Sequence, residues 1–472
     1  MFGLDTGLTI LLIICLLAVC TFEFINGFHD TANAVATVIY THSLKPRIAV
    51  IWSGLWNFLG VYTGGIAVAM GIVNLLPTEA LVDQNVYHGI AMILALLLTA
   101  VIWNLGTWYY GIPCSSSHTL IGSIFGVGIA YMFLPDVHNV ALNWKKVEDV
   151  GLSLLISPIF GFGLAMLLMM LLKALLKKKN KIFHPPSSSK APPLWIRSIL
   201  VLTCTSVSFS HGSNDGQKGV GLVMIILIGI LPAYFALDAS KNPEKLYANA
   251  TQVRALVNNF DTLKFSDLDM AEYRTIRKKT DTLIKYTANI KMFESVPQNK
   301  RFELRKGIIV IGKSADKLFA SPTAKDGIKL SKSEISKFKS FIKDNKSYTE
   351  YAPWWVILMI SVSLGLGTMI GWKRIVITIG ERIGKSHLTY AQGATAEIIA
   401  ASTITVSTSL GLPVSTTHVL SSGIAGTMVA DNGFKNLQMK TVKNIAIAWL
   451  ITLPVTVVFS GSLFLLLRWI LG

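Results

Sequence analysis

Charge is what this sequence has least of. Only 15% of its 472 residues are Asp, Glu, Lys or Arg, where soluble globular chains carry about 25%. With 52% apolar residues and a mean hydropathy of +0.53, much of the chain must lie where charge is expensive. Acids are scarcer than bases, 26 against 43, for a net charge of +17. A basic excess can point to nucleic acid; its placement here argues for no nucleic-acid partner. The bases crowd into Lys45/Arg47, Lys173–Arg197, Lys241–Lys346 and Lys373–Lys385. That is the positive-inside pattern, which puts these loops in the cytoplasm against an anionic leaflet and the acid-bearing loop Pro77–Val86 outside. Cysteine is rare too. Cys15, Cys20, Cys114 and Cys204 all sit in apolar sequence without metal-site spacing, so no metal centre is read from them. No base precedes the first apolar run and no small-residue cleavage site follows it, so it reads as a retained helix rather than a signal peptide, with the N-terminus outside.

Long apolar runs are what the sequence has in abundance. Leu8–Phe22, Ile48–Leu76, His88–Val101, Gly151–Leu176, Trp354–Ile370 and Ile445–Leu471 are the clearest, and about 20 such residues span a bilayer. Two stretches interrupt them. Lys173–Arg197 carries Lys177-Lys178-Lys179 and two Pro-Pro pairs and reads as a linker. Ser240–Glu350 is densely charged, with Ile276, Leu283, Ile284 and Ile290 at helical spacing, and reads as a small, mainly helical cytoplasmic insert.

The chain also repeats itself. Gly111-Ile-Pro-Cys-Ser-Ser-Ser-His118 and the eight residues after it match Gly411-Leu-Pro-Val-Ser-Thr-Thr-His418 and its continuation at seven of sixteen positions, with every hydroxyl of the triplet kept. Upstream, Gly27-Phe-His-Asp-Thr-Ala-Asn33 resembles Gly212-Ser-Asn-Asp-Gly-Gln-Lys218, with Asp30 over Asp215. Duplicated halves with paired polar breaks mark secondary transporters. The organisation expected is a first membrane repeat (1–172), a basic linker (173–194), the start of a second repeat (195–239), the insert (240–350) and the rest of the second repeat (351–472).

Each hydroxyl motif combines Gly-X-Pro, three hydroxyl residues, a His and an apolar run. Pro and Gly break a helix, so 112–134 and 412–430 are each expected to form two half-helices. Unpaired amides and a positive helix end suit an anion, and the hydroxyls suit a tetrahedral oxyanion. For one triplet, helix–helix glue would be the better reading; two copies in register favour binding. Asp30, Asp215 and Glu23 lie in or beside apolar runs, where acids mark an ion or proton path, and Asn33 and Asn214 can add carbonyl oxygens. Lys218, three residues after Asp215, faces it on a helix, so a structural ion pair is the plainer alternative there; Asp30 has no obvious partner. His29, His118, His211 and His418 could relay protons. Glu397, in a small apolar segment, stands second in rank. A membrane enzyme using Ser117–His118 or Ser210–His211 is disfavoured, because adjacent helix positions do not face each other.

These motifs resemble the signatures of the inorganic phosphate transporter (Pit) family, most closely the bacterial low-affinity phosphate:proton symporters, with Asn104-Leu-Gly-Thr-Trp108 and Thr368-Met-Ile-Gly-Trp372 as further matches. The resemblance covers nearly everything but the insert. It implies an all-α integral membrane protein of the bacterial inner membrane, built as an inverted repeat with two re-entrant helical hairpins, and a homodimer. It implies that phosphate contacts Ser115, Ser116, Ser117, Ser415, Thr416 and Thr417, and that Asp30, Asn33, Asn214 and Asp215 hold the coupling cation or help hold phosphate. The family pattern has Asn at the positions of His29 and Lys218. Both replacements remove a carbonyl ligand and add a nitrogen base, which points to proton rather than sodium symport, with the Lys218 ammonium standing where a sodium ion would sit. A sodium-coupled carrier, a carrier of sulfate, and transport of a neutral divalent metal–phosphate complex are the alternatives. No Arg lies in any motif, which suggests many modest donors rather than a strong clamp.

Overall fold

The computed structural model describes residues 3–76, 86–135, 144–176, 181–186 and 190–471. Residues 77–85 of the expected external loop, Lys177–Lys179 and the side chain of Asn33 lie outside the described residues. All regular elements described are helices, arranged in two compact units: one of residues 1–226 and 352–472, the other of Leu227–Tyr351.

The first unit is apolar outside and polar within. Leu155, Ile159, Leu202, Leu450 and Val458 are exposed, while Glu23, Asp30, His211, Asp215, Lys218 and Glu397 are buried. Water would reverse that order; a bilayer imposes it. Helix α1 (Thr6–Tyr40) is capped by Asp5, whose carboxylate accepts from the Leu8 amide at 2.9 Å. Helix α2 (Pro46–Thr63) starts with Pro at its first position, where the missing N–H costs nothing. It bends by 71° into α3 (Ala67–Val73) at Gly64-Gly65, with Gly65 at φ 82°. Gln217 satisfies that break. Its Oε1 accepts from the Val68 and Ala69 amides at 2.8 and 3.4 Å, and its Nε2 donates to the Gly64 carbonyl at 2.8 Å. Irregular backbone inside a membrane protein needs such internal partners.

Then come α4 (Val86–Tyr109), α5 (Ser116–Met132), α6 (Trp144–Leu175) and α7 (Leu194–Ile230). The break expected inside 112–134 lies at its start: Ile112–Ser115 are non-helical and α5 runs unbroken for 17 residues. Helix α7 is continuous for 37 residues. Its hydropathy is diluted by the polar Ser210–Lys218 stretch, which is why its apolar run is not obvious in sequence.

The second unit has its own core. Helices α8 (Pro243–Asn258), α9 (Asp267–Thr287), α10 (Gln298–Ala320) and α11 (Lys332–Lys346) bury Leu246, Ile276, Leu283, Leu304, Ile311 and Phe338 among them. Its two ends are tied together. The Asp238 amide donates to the Tyr348 carbonyl at 2.9 Å, and buried Arg305 donates to the carbonyls of Ala236 and Thr349 at 3.1 and 2.8 Å. Helix α9 opens with a capping box in which Ser266 and Asp269 satisfy each other's amides. Thr323 also donates to the Asp269 carboxylate at 2.5 Å. That bond, with those of Ser321 and Ser266, pulls the carboxyl down to about 2. A folded-state value below the unfolded one of about 3.9 adds stability that is whole above pH ~4 and lost as pH falls through about 2. A fragment spanning 236–351 should therefore lose urea resistance between pH 4 and 2, and Asp269→Asn should flatten that slope. An unchanged slope in the variant would remove Asp269 as its source.

The first unit resumes with α12 (Trp354–Thr368), α13 (Lys373–Glu381), α14 (Tyr390–Ser409), α15 (Thr416–Asn432) and α16 (Met439–Leu471). Among the described residues, α1, α4, α6 and α16 are long and apolar enough to cross a membrane, with the bent α2–α3 pair a fifth candidate. Helix α15, also of 17 residues, follows the non-helical stretch Leu412–Ser415, so the second hydroxyl motif repeats the local form of the first. Gly126 and Gly426 let these two helices pack tightly. A methyl at Gly126 would meet the Val457 carbonyl of α16 at 2.1 Å, and one at Gly426 the Phe162 carbonyl of α6 at 2.2 Å.

Candidate functional site

The two hydroxyl motifs meet. Gly111 and Gly411 turn the chain at φ 66° and 67°, a left-handed conformation that glycine adopts without strain. Four residues later Ser115 and Ser415 cap α5 and α15, each accepting from the amide of its following His at 3.1 Å. The helix starts then lie against each other. The His118 and His418 rings have centroids 4.4 Å apart, and His418 stacks on Trp449 at 3.9 Å. Ser117 donates across to the Val414 carbonyl at 2.7 Å. Two helix N-termini, each with a partial positive charge, thus face one region.

Asp30 occupies that region. Thr417 donates to its Oδ1 at 2.5 Å and Ser116 to its Oδ2 at 3.3 Å. The sequence offered Asp30 no partner; the structure gives it one hydroxyl from each motif, plus His29 Nδ1 at 3.3 Å. The other nitrogen of His29 lies 3.3 Å from the Thr107 hydroxyl. His211 stands between the two aspartates, its Nε2 3.8 Å from Asp30 Oδ2 and 3.6 Å from Asp215 Oδ2. Its Nδ1 lies 2.8 Å from the Asn57 side-chain oxygen, a contact that requires N–H there and turns Nε2 toward the carboxylates. Asn57 is braced in turn by Thr368 at 3.1 Å. Asp30, His211 and Asp215 offer ligand atoms all within 4.8 Å of one another, which suits a proton or a small cation.

Lys218 completes the site. It is 1% exposed, pairs with Asp215 Oδ1 at 2.7 Å, bonds to the Ser117 hydroxyl and points at the Val414 carbonyl, 3.3 Å away. The site therefore holds a full cation at its hydroxyls, beyond the modest donors that the lack of Arg suggested. The ion pair with Asp215 does form, and it belongs to the site.

Asn214 gives its amide to Thr408 at 2.8 Å and the Leu412 carbonyl at 3.2 Å, and its oxygen accepts from the Val414 amide at 3.3 Å. It braces the second turn. Glu23 is fully buried beside Gly219 and accepts from Asn26 at 3.3 Å. Thr416 is buried and its hydroxyl has no partner among the described residues. Glu397 of α14 accepts from Thr203 of α7 at 2.5 Å. Neither rival nucleophile–base pair forms: His118 Nδ1 faces Ser115 at 2.9 Å, and Ser210 bonds Thr405 at 2.8 Å. Helix α13 secures the first turn, Arg374 bonding the Tyr109 carbonyl and Thr378 donating to that of Gly111 at 2.8 Å. Of the braces, Asn57 and Thr378 carried no motif signal, and Gln217 and Thr368 stood inside motifs without an assigned role.

Residues 26–460 match the phosphate transporter family. The chain belongs to that family. Its membership makes it a transporter and not an enzyme, and a multi-pass membrane protein. This transporter is 41% identical to the "Low-affinity inorganic phosphate transporter PitA" of Escherichia coli K12 over 98% of its own length and 97% of that protein's. It is 40% identical to PitB of the same organism, over 98% and 97%. It is 30% identical to a "Probable low-affinity inorganic phosphate transporter" of Bacillus subtilis, over 98% of each. Its fold is similar to that of a solved structure titled "The sodium-dependent phosphate transporter", with a TM-score of 0.54 over 98% of this chain and 100% of that one, at 22% identity.

Proposed function

We propose that this transporter imports inorganic phosphate by proton symport, with phosphate held between the hydroxyl-bearing starts of α5 and α15. The observation that carries the proposal is Asp30 lying on the hydroxyls of Ser116 and Thr417. Those hydroxyls and helix ends form an anion cradle, and in this conformation a carboxylate fills it.

Phosphate and a charged Asp30 then compete for the same donors. Two unit charges about 4 Å apart repel by roughly 4 kcal/mol at the effective dielectric near such sites. A proton delivered to Asp30, through His211 between the two carboxylates, removes that repulsion and frees the hydroxyls. Phosphate enters the cradle, and Lys218, already at Ser117, offsets part of its charge. Substrate and proton thereby favour each other's binding, which is the thermodynamic content of symport. The two repeats act as an inverted pair around this shared site, with alternating access moving one against the other. Ser115, Ser117, Ser415 and Thr416 lie within the same two helix starts and complete the phosphate contacts.

Lys218 also supports proton over sodium coupling. Its ammonium already neutralises Asp215 at 2.7 Å, so a sodium ion there would have to displace a tethered cation. In proteoliposomes, a proton gradient alone should drive labelled phosphate uptake and a sodium gradient alone should not. Strong sodium dependence without proton dependence would sink the coupling assignment.

A further inference from the structure

The transport site leaves unused a cavity of about 630 Å³ in the first unit. It is lined by Tyr40 from the end of α1, by His42 and Lys45 after it, by Trp372 and Lys373 at the start of α13, and by His387 ahead of α14. Apolar side chains make up the rest of the wall, and among the described residues none that lines it is an acid.

The backbone adds to this basic rim. Lys45 is the N-cap of α2 and Lys373 the first residue of α13. His387 precedes by two residues Thr389, the N-cap of α14. Two helix N-termini without a side-chain cap, those of α2 and α13, therefore border the cavity and add the partial positive charge of unpaired amides. His42 has φ 56°. It sits just past the end of α1, where its amide bonds the Ile39 carbonyl at 3.1 Å and the Ser43 amide bonds that of Val38 at 2.9 Å. That bond pattern is a helix-ending motif whose left-handed position is usually glycine, so histidine holds it against its own steric preference. Its imidazole lines the cavity wall. An anion seated here would rest on α13, the helix whose Arg374 and Thr378 hold the α4–α5 turn.

We propose that this cavity is a second anion site, separate from the transport site, that takes a phosphate group. Two ammonium groups, two imidazoles and two helix starts suit a doubly charged oxyanion, and the aromatic and aliphatic walls would equally accept the upper acyl chain of a phospholipid. The group can come from free inorganic phosphate or from an anionic lipid headgroup.

The test reads binding without transport. Full-length protein in phosphatidylcholine nanodiscs is treated with an amine-reactive reagent, and labelling at Lys45, Lys373 and, as a control outside the cavity, Lys385 is read by mass spectrometry. One arm adds inorganic phosphate; the other replaces part of the lipid with phosphatidylglycerol and adds none. A threefold or greater fall in labelling at Lys45 and Lys373, with Lys385 unchanged, is expected in at least one arm. A fall in the phosphate arm assigns free phosphate, and a fall in the lipid arm alone assigns the headgroup. No fall in either arm, or an equal fall at Lys385, overturns the proposal. His42→Gly should keep or raise the thermal midpoint while weakening protection about threefold; undiminished protection would overturn the part given to the imidazole. Because no uptake is measured, the result is independent of whether proton symport is correct.

Discussion

Asp30→Asn should end uphill phosphate accumulation, lowering the steady inside-to-outside ratio about tenfold or more, while leaving exchange of phosphate across the membrane measurable. Asparagine has nearly the same shape; it keeps one oxygen to accept from Thr417 and turns an amide N–H to the Ser116 hydroxyl, which can rotate to accept, so the helix starts should still meet and the protein should still insert. What disappears is the charge that competes with phosphate and the atom that takes the proton. The cradle would then admit phosphate without proton delivery. Labelled phosphate in proteoliposomes, with and without an uncoupler, separates these outcomes: the variant should show uncoupler-insensitive equilibration, where the native protein shows uncoupler-sensitive accumulation. Full accumulation by the variant would remove Asp30 from the mechanism.

The second large effect concerns Lys218 and Asp215. Removing one member of a buried ion pair costs roughly 3–5 kcal/mol, because the other is left charged without its partner. Lys218→Met strands Asp215, which is fully buried, so the yield of folded, inserted protein should fall sharply. Asp215→Asn should be milder, since Lys218 keeps the Ser117 hydroxyl and the Val414 carbonyl; this variant should insert but fail to accumulate phosphate. The double replacement Asp215→Asn with Lys218→Met should recover most of the yield and still not transport, because the cradle has lost its cation. Thermal midpoints of all four proteins in detergent give the pair energy as a double-mutant cycle. Additive losses would mean the pair is not the unit described here.

Much of the site was legible in sequence because its pieces are local. Gly-X-Pro before three hydroxyls announces a turn followed by a capped helix start, and both Ser115 and Ser415 take that role. Lys218 three residues after Asp215 announces their pairing. What sequence could not supply is the meeting of distant pieces. The hydroxyls on Asp30 come from 86 and 387 residues away, and nothing in a local pattern encodes such a contact. Asn214 was legible only in part: an amide beside an acid suggests a ligand, and nothing local foretells that three backbone and hydroxyl groups of the second turn also engage it. Helix boundaries failed where composition is mixed. The polar stretch of α7 masks a continuous helix, and the bend between α2 and α3 lies in a run read as uniformly apolar, where Gly64-Gly65 and a glutamine 150 residues away set the angle.

The closed ends of the helical unit carry one more implication. Because the Asp238 amide and the Tyr348 carbonyl are 2.9 Å apart, the polypeptide leaves and rejoins the bundle through a single doorway that Arg305 bolts. The bundle is thus a closed loop of chain, and a short turn from Asp238 to Tyr348 could stand in its place. An insertion closed in this way can be exchanged or removed at a single point of the chain.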